Sequence, residues 1–292
     1  MKKQLSAVVT GANRGIGFAV ARELAERGSR VFLVARNGEA GLRAERELSG
    51  FGDVRLVPGD LSTPRTTRMA ARSVLDACPR IDVLVHNAGV WPSRLERGDD
   101  GIERAFAVNH LAPFLLNHLL ERALGGEGAT ARIVQVSAGL YVKGRVDLEG
   151  TARGDDFHAI RTYATTKLCN LLLLERFAER FEPRGVTVNA VHPGVIRTGL
   201  GDRSGLLGVL LRGVKQLWKT PEQGARPVVR LALDPTLAGV TGRYFDLDKE
   251  TPLAGVARDR ALAARLWAQA EALCGLTPKA HHAAGDASKA GE

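Results

Sequence analysis

The sequence predicts a doubly wound α/β fold, a single domain built on a parallel β-sheet. Short runs rich in β-branched residues, each of strand length, recur along the chain. Segments of helix length lie between them, with apolar positions three and four residues apart, as at Phe18, Ala21 and Ala25. This alternation is typical of βαβ units around a parallel sheet.

Six strands are predicted, and each is a run of apolar residues. They are residues 7–9, 31–34, 54–57, 83–85, 133–136 and 186–188. Right-handed crossovers place helices on both faces of such a sheet and bring the carboxyl ends of its strands to one edge, where ligands bind. Functional side chains are therefore expected directly after strands.

The amino-acid composition indicates a globular protein. Of the 292 residues, 45% are hydrophobic and 25% charged, which is ordinary for a globular protein. The net charge of +9 comes from arginines spread along amphipathic helices, without a basic run interleaved with aromatics, which disfavours nucleic acid as a partner. The even composition predicts one domain over residues 1–276, followed by a disordered tail at 277–292.

The sequence contains no apolar stretch long enough for a membrane span, and the first strand begins too early for a signal peptide. These features predict a cytoplasmic protein. Cys78, Cys169 and Cys274 are far apart, which predicts reduced, buried thiols rather than disulfides or a zinc site. The pair His281 and His282 lies in the tail, so no metal site is predicted.

A glycine-rich turn follows the first predicted strand and leads directly into a helix. Such glycines permit a tight turn and a close approach of the backbone to a pyrophosphate. The helix N-terminus then offers free N–H groups to the phosphates. The predicted cofactor-binding residues of this turn are Gly11, Asn13, Arg14, Gly15, Ile16 and Gly17.

The end of the second strand predicts which nicotinamide cofactor is bound. An acidic residue there would bind the ribose 2′-hydroxyl of NAD, but this strand ends in Arg36. A guanidinium can hold a 2′-phosphate through two charge-assisted hydrogen bonds, and Arg14 can flank the same group. The prediction is NADP(H); the alternative is that both arginines are solvated surface residues.

Candidate catalytic residues follow the fifth strand and occupy a later helix. Ser137 comes directly after the strand, and Tyr163 and Lys167 are four residues apart, on one helix face. Hydride reduction of a carbonyl leaves an alkoxide that needs a proton, whereas a phenol has a pKa of about 10. A neighbouring ammonium and the cationic oxidised nicotinamide are expected to lower the pKa of Tyr163. Ser137 would hydrogen-bond the substrate oxygen.

Together, the glycine turn at residues 10–17, the serine and the tyrosine–lysine pair resemble the short-chain dehydrogenase/reductase family, whose domain is a Rossmann fold. The resemblance implies that the turn holds the cofactor pyrophosphate and that Tyr163 is the general acid for reduction. It further implies that Asp60 binds the adenine amine and that Leu61 packs on its ring. Residues expected near the cofactor ribose are Asn87, Ala88 and Gly89.

The same resemblance extends to other positions. Asn109 matches the asparagine that bends a helix and supports a water relay from the lysine, so it is implied to be catalytic. Residues implied to lie near the nicotinamide and the phosphates are Pro193, Gly194, Val195, Ile196 and Thr198. Family members are often homodimers or homotetramers, formed through the Asn109 helix and the Tyr163 helix, and a homo-oligomer is expected here.

Residues 108–116, 167–173 and 219–225 resemble the retinol dehydrogenase and WW-domain oxidoreductase branch, within a likeness that runs from about residue 6 to residue 248. A small hydrophobic carbonyl or alcohol substrate is implied. The apolar segment 199–220 is interpreted as a docked surface helix, a substrate lid or a peripheral membrane contact. Two other functions remain open: a non-catalytic NADP-binding redox-sensing regulator and a sugar-nucleotide epimerase or dehydratase.

Overall fold

The protein is built around one mixed sheet. The computed structural model describes residues 4–36, 38–125, 130–196 and 219–276. The strands in this part of the chain are Ser6–Thr10 (β1), Arg30–Ala35 (β2), Val54–Pro58 (β3), Val83–His86 (β4), Ala131–Val136 (β5), Val186–His192 (β6), Tyr244–Asp246 (β7) and Lys249–Glu250 (β8). Their order is β3-β2-β1-β4-β5-β6-β7-β8. Strands β1 to β7 are parallel, and β8 is antiparallel.

Helices cover the sheet between its strands. They are Gly15–Glu26 (α1), Glu39–Leu48 (α2), Pro64–Ala77 (α3), Arg104–Phe106 (α4), Ala112–Leu119 (α5), Ala159–Leu172 (α6), Leu174–Phe181 (α7), Pro221–Leu233 (α8) and Arg260–Cys274 (α9). A capping box and a proline in the first turn start α3, where Thr63 is the cap, and α8, where Thr220 is the cap.

Both faces of the sheet are buried, which explains why its central strands are rich in apolar residues. Successive residues point to opposite faces: Val8 and Phe32 pack with α3, α5, α6, α7 and α9, whereas Val9 and Leu33 pack with α1, α2 and α8. The predicted single-domain α/β fold with a parallel sheet is confirmed. Short β7 and β8 were not predicted, because two or three residues carry no readable period.

Some of the predicted features lie outside the described part of the chain. Thr198, residues 199–218 of the proposed lid and the tail 277–292 lie outside the described residues. Within the described part, no helix combines the length and hydrophobicity needed to cross a bilayer. The three cysteines are buried and unpaired with one another. Helix α6 begins at Ala159, one turn before the predicted start at Tyr163.

Candidate active site

The carboxyl ends of β1 to β6 surround a cleft of about 1260 Å³, above the roughly 300–1,000 Å³ of common ligand pockets. Most of the predicted site residues line it. They are Gly11, Asn13, Arg14, Gly15, Ile16, Arg36, Asp60, Leu61, Asn87, Ala88, Gly89, Ser137, Tyr163, Lys167, Pro193, Gly194, Val195 and Ile196. Gly17 and Asn109 lie behind the lining. Residues from six separate strand ends therefore meet in one place.

The glycines of the first turn are required for two different reasons. Gly11 has φ +65°, and a Cβ there would lie 2.8 Å from Cα of Ala88. Gly17 has no such backbone constraint, but its Cβ would lie 2.3 Å from Nδ2 of Asn87. Gly11 therefore shapes the turn, whereas Gly17 allows α1 to pack closely against the loop after β4.

Hydrogen bonds join the ends of β1 and β4, the point where the strand order changes direction. The Thr10 hydroxyl accepts from the backbone N–H groups of Asn87 and Ala88, both at 3.0 Å. The Asn87 amide donates to the carbonyl oxygens of Thr10 at 2.9 Å and Gly11 at 3.1 Å. The side chain of Asn87 therefore holds the glycine turn in place.

The N-terminus of α1 is suited to an anion. Its N-cap residue, Arg14, makes no side-chain capping bond, and the first turn holds no acidic residue. Its free N–H groups and the positive end of the helix dipole adjoin the cleft. Arg14 and Arg36 are exposed and lack an ion-pair partner among the described residues. These residues fit the phosphates of a dinucleotide.

Asp60 lies at the same edge of the cleft, after β3. Its carboxylate accepts from the Ser62 backbone N–H at 3.2 Å and from the Ser62 hydroxyl at 2.6 Å. These bonds fix the carboxylate within its own turn. Its contact with an adenine amine stays a prediction.

Ser137 extends β5 by one residue and presents a free hydroxyl. Its backbone N–H donates to the carbonyl oxygen of Val191 at 2.8 Å. The side chain is only 4% exposed, and its Oγ is buried without a hydrogen-bond partner. A buried hydroxyl without a partner is costly unless a ligand uses it. Ser137 is thus available to hydrogen-bond a substrate oxygen.

Lys167 is buried beneath the cleft, 4% exposed, and its Nζ donates to the carbonyl oxygen of Val136 at 3.0 Å. Burial lowers the pKa of this amine to about 8. Nζ also lies 5.7 Å from the centre of the Tyr163 ring. The ammonium is therefore held close to the phenol and remains the major form at neutral pH.

The expected lowering of the Tyr163 pKa is wrong for the protein alone. The phenol is 6% exposed, and its burial raises the pKa well above the ordinary value. The spacing placed Tyr163 and Lys167 together correctly, but it carried no information on burial. The cause is desolvation, because burial disfavours the charged phenolate.

Trp91 is the main residue of the cleft that sequence reasoning missed. Its indole stacks on the Tyr163 ring, with ring centroids 4.5 Å apart and an interplanar angle of 10°. The indole N–H donates to the carbonyl oxygen of Ala159 at 2.8 Å. The available signal was its position soon after β4, in the loop that begins Asn87-Ala88-Gly89.

Asn109 lies in a π-helical segment, Ala107–Leu111, between α4 and α5. Its side-chain oxygen accepts from the Val90 N–H at 2.8 Å, and its Nδ2 donates to the Val90 carbonyl at 2.9 Å and to the Thr166 hydroxyl at 3.0 Å. The helix is irregular at this residue, as the resemblance implied. The side chain holds the loop next to Trp91, and the water relay stays a prediction.

Other lining residues were also missed. Leu140 lies shortly after β5, and His192 is the last residue of β6, so both could have been predicted from their position at strand ends. Arg104 instead comes from α4. The Nδ1 of His192 is buried without a partner, and burial lowers the pKa of its imidazole. The guanidinium of Arg104 is paired with Glu96 at 2.6 Å.

The sequence is similar to known oxidoreductases. The profile of the family described as short chain dehydrogenase matches residues 6–205. Human retinol dehydrogenase 14 is 37% identical over 290 residues, covering 92% of this chain and 86% of that protein. Human dehydrogenase/reductase SDR family member 13 is 38% identical over 281 residues, covering 94% of this chain and 74% of that protein.

Solved structures are similar over most of the chain. An uncharacterized protein from Mycobacterium paratuberculosis has a TM-score of 0.74 and 28% identity, covering 93% of this chain and 94% of its own. A blue fluorescent protein from a metagenomic library, in complex with NADPH, has a TM-score of 0.66 and 26% identity, covering 84% and 96%. A short chain dehydrogenase from Burkholderia cenocepacia, in complex with NADP, has a TM-score of 0.66 and 25% identity, covering 84% and 96%.

Proposed function

Because the chain belongs to the short-chain dehydrogenase family, whose members bind a nicotinamide cofactor, we propose that it is an NADP(H)-dependent oxidoreductase. It interconverts a carbonyl and an alcohol on a small hydrophobic molecule. The observation that carries the proposal is the meeting of Ser137, Tyr163 and Lys167 in the cleft that also holds Arg14 and Arg36.

The spacing of these groups suits one extended ligand. Arg36 follows β2 and Ser137 follows β5, with β1 and β4 between them. At about 4.8 Å per strand, the two ends of the site are roughly 14 Å apart. An extended dinucleotide could lie across this distance, with its phosphates at the N-terminus of α1 and its nicotinamide near Tyr163.

NADP(H) is proposed over NAD(H) on the charges at the end of β2. Arg36 stands where an acidic residue would bind the 2′-hydroxyl of NAD, and a guanidinium favours a 2′-phosphate. Arg14 adds a second positive charge to the same cleft. Two structural relatives, the metagenomic and Burkholderia proteins, are complexes with NADPH and NADP, which supports the proposal.

The protein supplies the proton and the orientation. When bound, the reduced cofactor provides the hydride. Ser137 donates a hydrogen bond to the substrate oxygen, and Tyr163 gives its phenolic proton to that oxygen as negative charge develops. Lys167, held by Val136, stabilises the phenolate that results. For alcohol oxidation the phenolate takes the proton back.

A hydrophobic substrate is proposed because apolar side chains surround the catalytic end of the cleft. Trp91, Leu140 and Val195 line it, and Val195 is 56% exposed. Exposed apolar side chains at the mouth of a site favour an apolar ligand. The similarity to proteins named retinol dehydrogenase supports the same class of substrate.

The test follows the absorbance of reduced nicotinamide with aliphatic and aromatic aldehydes and ketones, using NADPH and NADH separately. We expect turnover of apolar substrates, with kcat/KM at least tenfold higher for NADPH. Tyr163→Phe should lower kcat by roughly 10²- to 10⁴-fold while NADPH still binds. Equal efficiency with NADH would overturn the cofactor assignment, and an active Phe variant would overturn the proton donor.

A further inference from the structure

Trp91 is joined to α6 at two points, both close to the proton donor. Its ring is stacked on Tyr163 at 4.5 Å, and its N–H donates to the carbonyl oxygen of Ala159, one turn before Tyr163 on the same helix. A ring fixed at one edge by a hydrogen bond and in contact across its face has little freedom to rotate. Tyr163 therefore faces a nearly immobile surface.

The loop that carries Trp91 is itself held in place. The preceding residue, Val90, exchanges two hydrogen bonds with the Asn109 side chain, which also donates to Thr166. The Thr166 hydroxyl donates in turn to the Tyr163 carbonyl oxygen at 2.7 Å. The side chains of Asn109 and Thr166 thus connect the residue before Trp91 to the backbone of Tyr163.

We propose that Trp91 is a positioning residue for Tyr163, holding the phenol ring in the orientation from which its hydroxyl reaches the substrate oxygen. This inference rests on the proposed function. Phenol orientation matters because a displacement of about 1 Å at a reacting group can cost on the order of 100-fold in rate. The indole also excludes water from one face of the phenol.

The first test needs no turnover. NMR spectra of the cofactor-free protein with labelled tyrosine rings contain signals from three tyrosines, Tyr141, Tyr163 and Tyr244, and Tyr163→Phe assigns the relevant one. The ring current of a stacked indole displaces the Tyr163 signal. In Trp91→Ala this signal should move while the other two stay, and in Trp91→Phe it should move less. An unchanged Tyr163 signal in Trp91→Ala would overturn the proposal.

The second test asks whether Trp91 positions Tyr163 or only contacts the substrate. Benzaldehyde and cyclohexanecarbaldehyde are similar in size, but only the first is flat. Loss of positioning lowers kcat by a similar factor with both, about ten- to a hundredfold in Trp91→Ala, with most of the rate restored in Trp91→Phe. If Trp91 only contacted the substrate, Trp91→Ala would instead change KM, by unequal factors for the two aldehydes. That result would overturn the proposal.

The pH profile of alcohol oxidation gives a third readout. Burial raises the pKa of Tyr163, so admitting water in Trp91→Ala should lower the apparent pKa of kcat, and Trp91→Phe should shift it less. An unchanged profile together with an unchanged kcat would contradict positioning. Leu95→Ala is the matched control, since it removes an apolar side chain from the same loop outside the cleft lining; it should leave all three readouts unchanged.

Failure of the proposed function gives a distinct result. If the parent protein turned over neither aldehyde with NADPH or NADH, the proposed function would fail, and the NMR signal would still decide whether Trp91 stacks on the Tyr163 ring. If Trp91→Ala does not fold, Trp91→Leu takes its place, because it keeps an apolar side chain without a ring. The same loss of the Tyr163 displacement is expected, and its retention would overturn the proposal.

Discussion

Lys167 donates from Nζ to the carbonyl oxygen of Val136, 3.0 Å away, so the amine is fixed to the strand whose next residue is Ser137. One strand end therefore positions two of the three groups that are proposed to act on the substrate oxygen and its proton. The third, Tyr163, lies one helical turn before Lys167 on α6. This arrangement keeps the amine and the phenol of α6 close to the Ser137 hydroxyl at the end of β5.

The burial of Lys167 predicts how stability depends on pH. Its pKa is about 8 in the folded protein against 10.5 ordinarily, so the unfolded chain binds the proton more tightly. Keeping the buried amine protonated lowers the free energy of unfolding by about 3 kcal/mol. This loss is fully present below pH 8 and disappears as the pH rises towards 10.5. Lys167→Met should therefore unfold at higher urea concentration than the parent at pH 7, and the difference should shrink by about pH 10. A difference that stays constant with pH would contradict this.

Ser137→Ala should separate catalysis from stability. The hydroxyl has no partner in the folded protein, so its removal should leave the free energy of unfolding unchanged or raise it by up to about 1–3 kcal/mol. The rate of carbonyl reduction should fall by roughly 10²-fold or more, because a donor to the developing oxyanion is lost. Urea unfolding and steady-state kinetics measure the two effects.

Thr165→Val is the matched contrast for that hydroxyl. Thr165 is also buried, but its Oγ1 accepts from the Arg145 N–H at 3.0 Å and donates to the Arg145 carbonyl at 3.1 Å. Its removal leaves backbone groups unpaired and should cost about 1–3 kcal/mol. Equal stability losses in the two variants would mean that Ser137 has a partner after all.

The sequence predicted the parts of the site that depend on local pattern. Apolar runs located six strands, and residues directly after them, such as Arg36 and Ser137, fall in the cleft. The helical period placed Tyr163 beside Lys167. These features depend only on neighbours in the chain, so spacing was sufficient to find them.

The remaining features depend on contacts between distant segments. Trp91 meets Tyr163 only because the loop after β4 folds across α6, and no period relates the two residues. The direction of the Tyr163 pKa shift depends on burial from several elements at once. Gly17 was assigned to phosphate binding by its motif, but the structure places it against Asn87. Its contact with the cofactor stays a prediction.

Gly17→Ala tests that close approach. A Cβ would lie 2.3 Å from Nδ2 of Asn87 and 2.6 Å from the carbonyl oxygen of Gly11. Alanine favours a helix by about 1 kcal/mol over glycine, but overpacking costs about 1–3 kcal/mol, and a backbone oxygen cannot move aside cheaply. We expect a net loss of stability and weaker cofactor binding, measured by thermal unfolding and by fluorescence titration with NADPH.

Gly255→Ala is the control for this substitution, since a Cβ there meets nothing within 4 Å and no positive φ is required. It should leave cofactor binding unchanged and, through a less flexible unfolded chain, raise stability by up to about 1 kcal/mol. If both variants behaved alike, the close packing of α1 on the loop after β4 would be refuted.

Arg36→Asp tests the proposed cofactor preference. The guanidinium is exposed, lines the cleft at the end of β2 and lacks an ion-pair partner among the described residues. A charge-assisted hydrogen bond to a phosphate contributes about 1.5–3 kcal/mol, and a carboxylate in its place would repel the 2′-phosphate. The kcat/KM with NADPH should therefore fall roughly ten- to a hundredfold, while the kcat/KM with NADH stays the same or rises.

Arg265→Asp is the control, because it makes the same charge change on the exposed side of α9, outside the cleft. It should alter neither value. If Arg36→Asp lowered kcat/KM equally with both cofactors, Arg36 would support the fold rather than the cofactor preference. If Arg36→Asp and Arg265→Asp lowered kcat/KM with NADPH equally, the effect would come from the net charge of the protein alone.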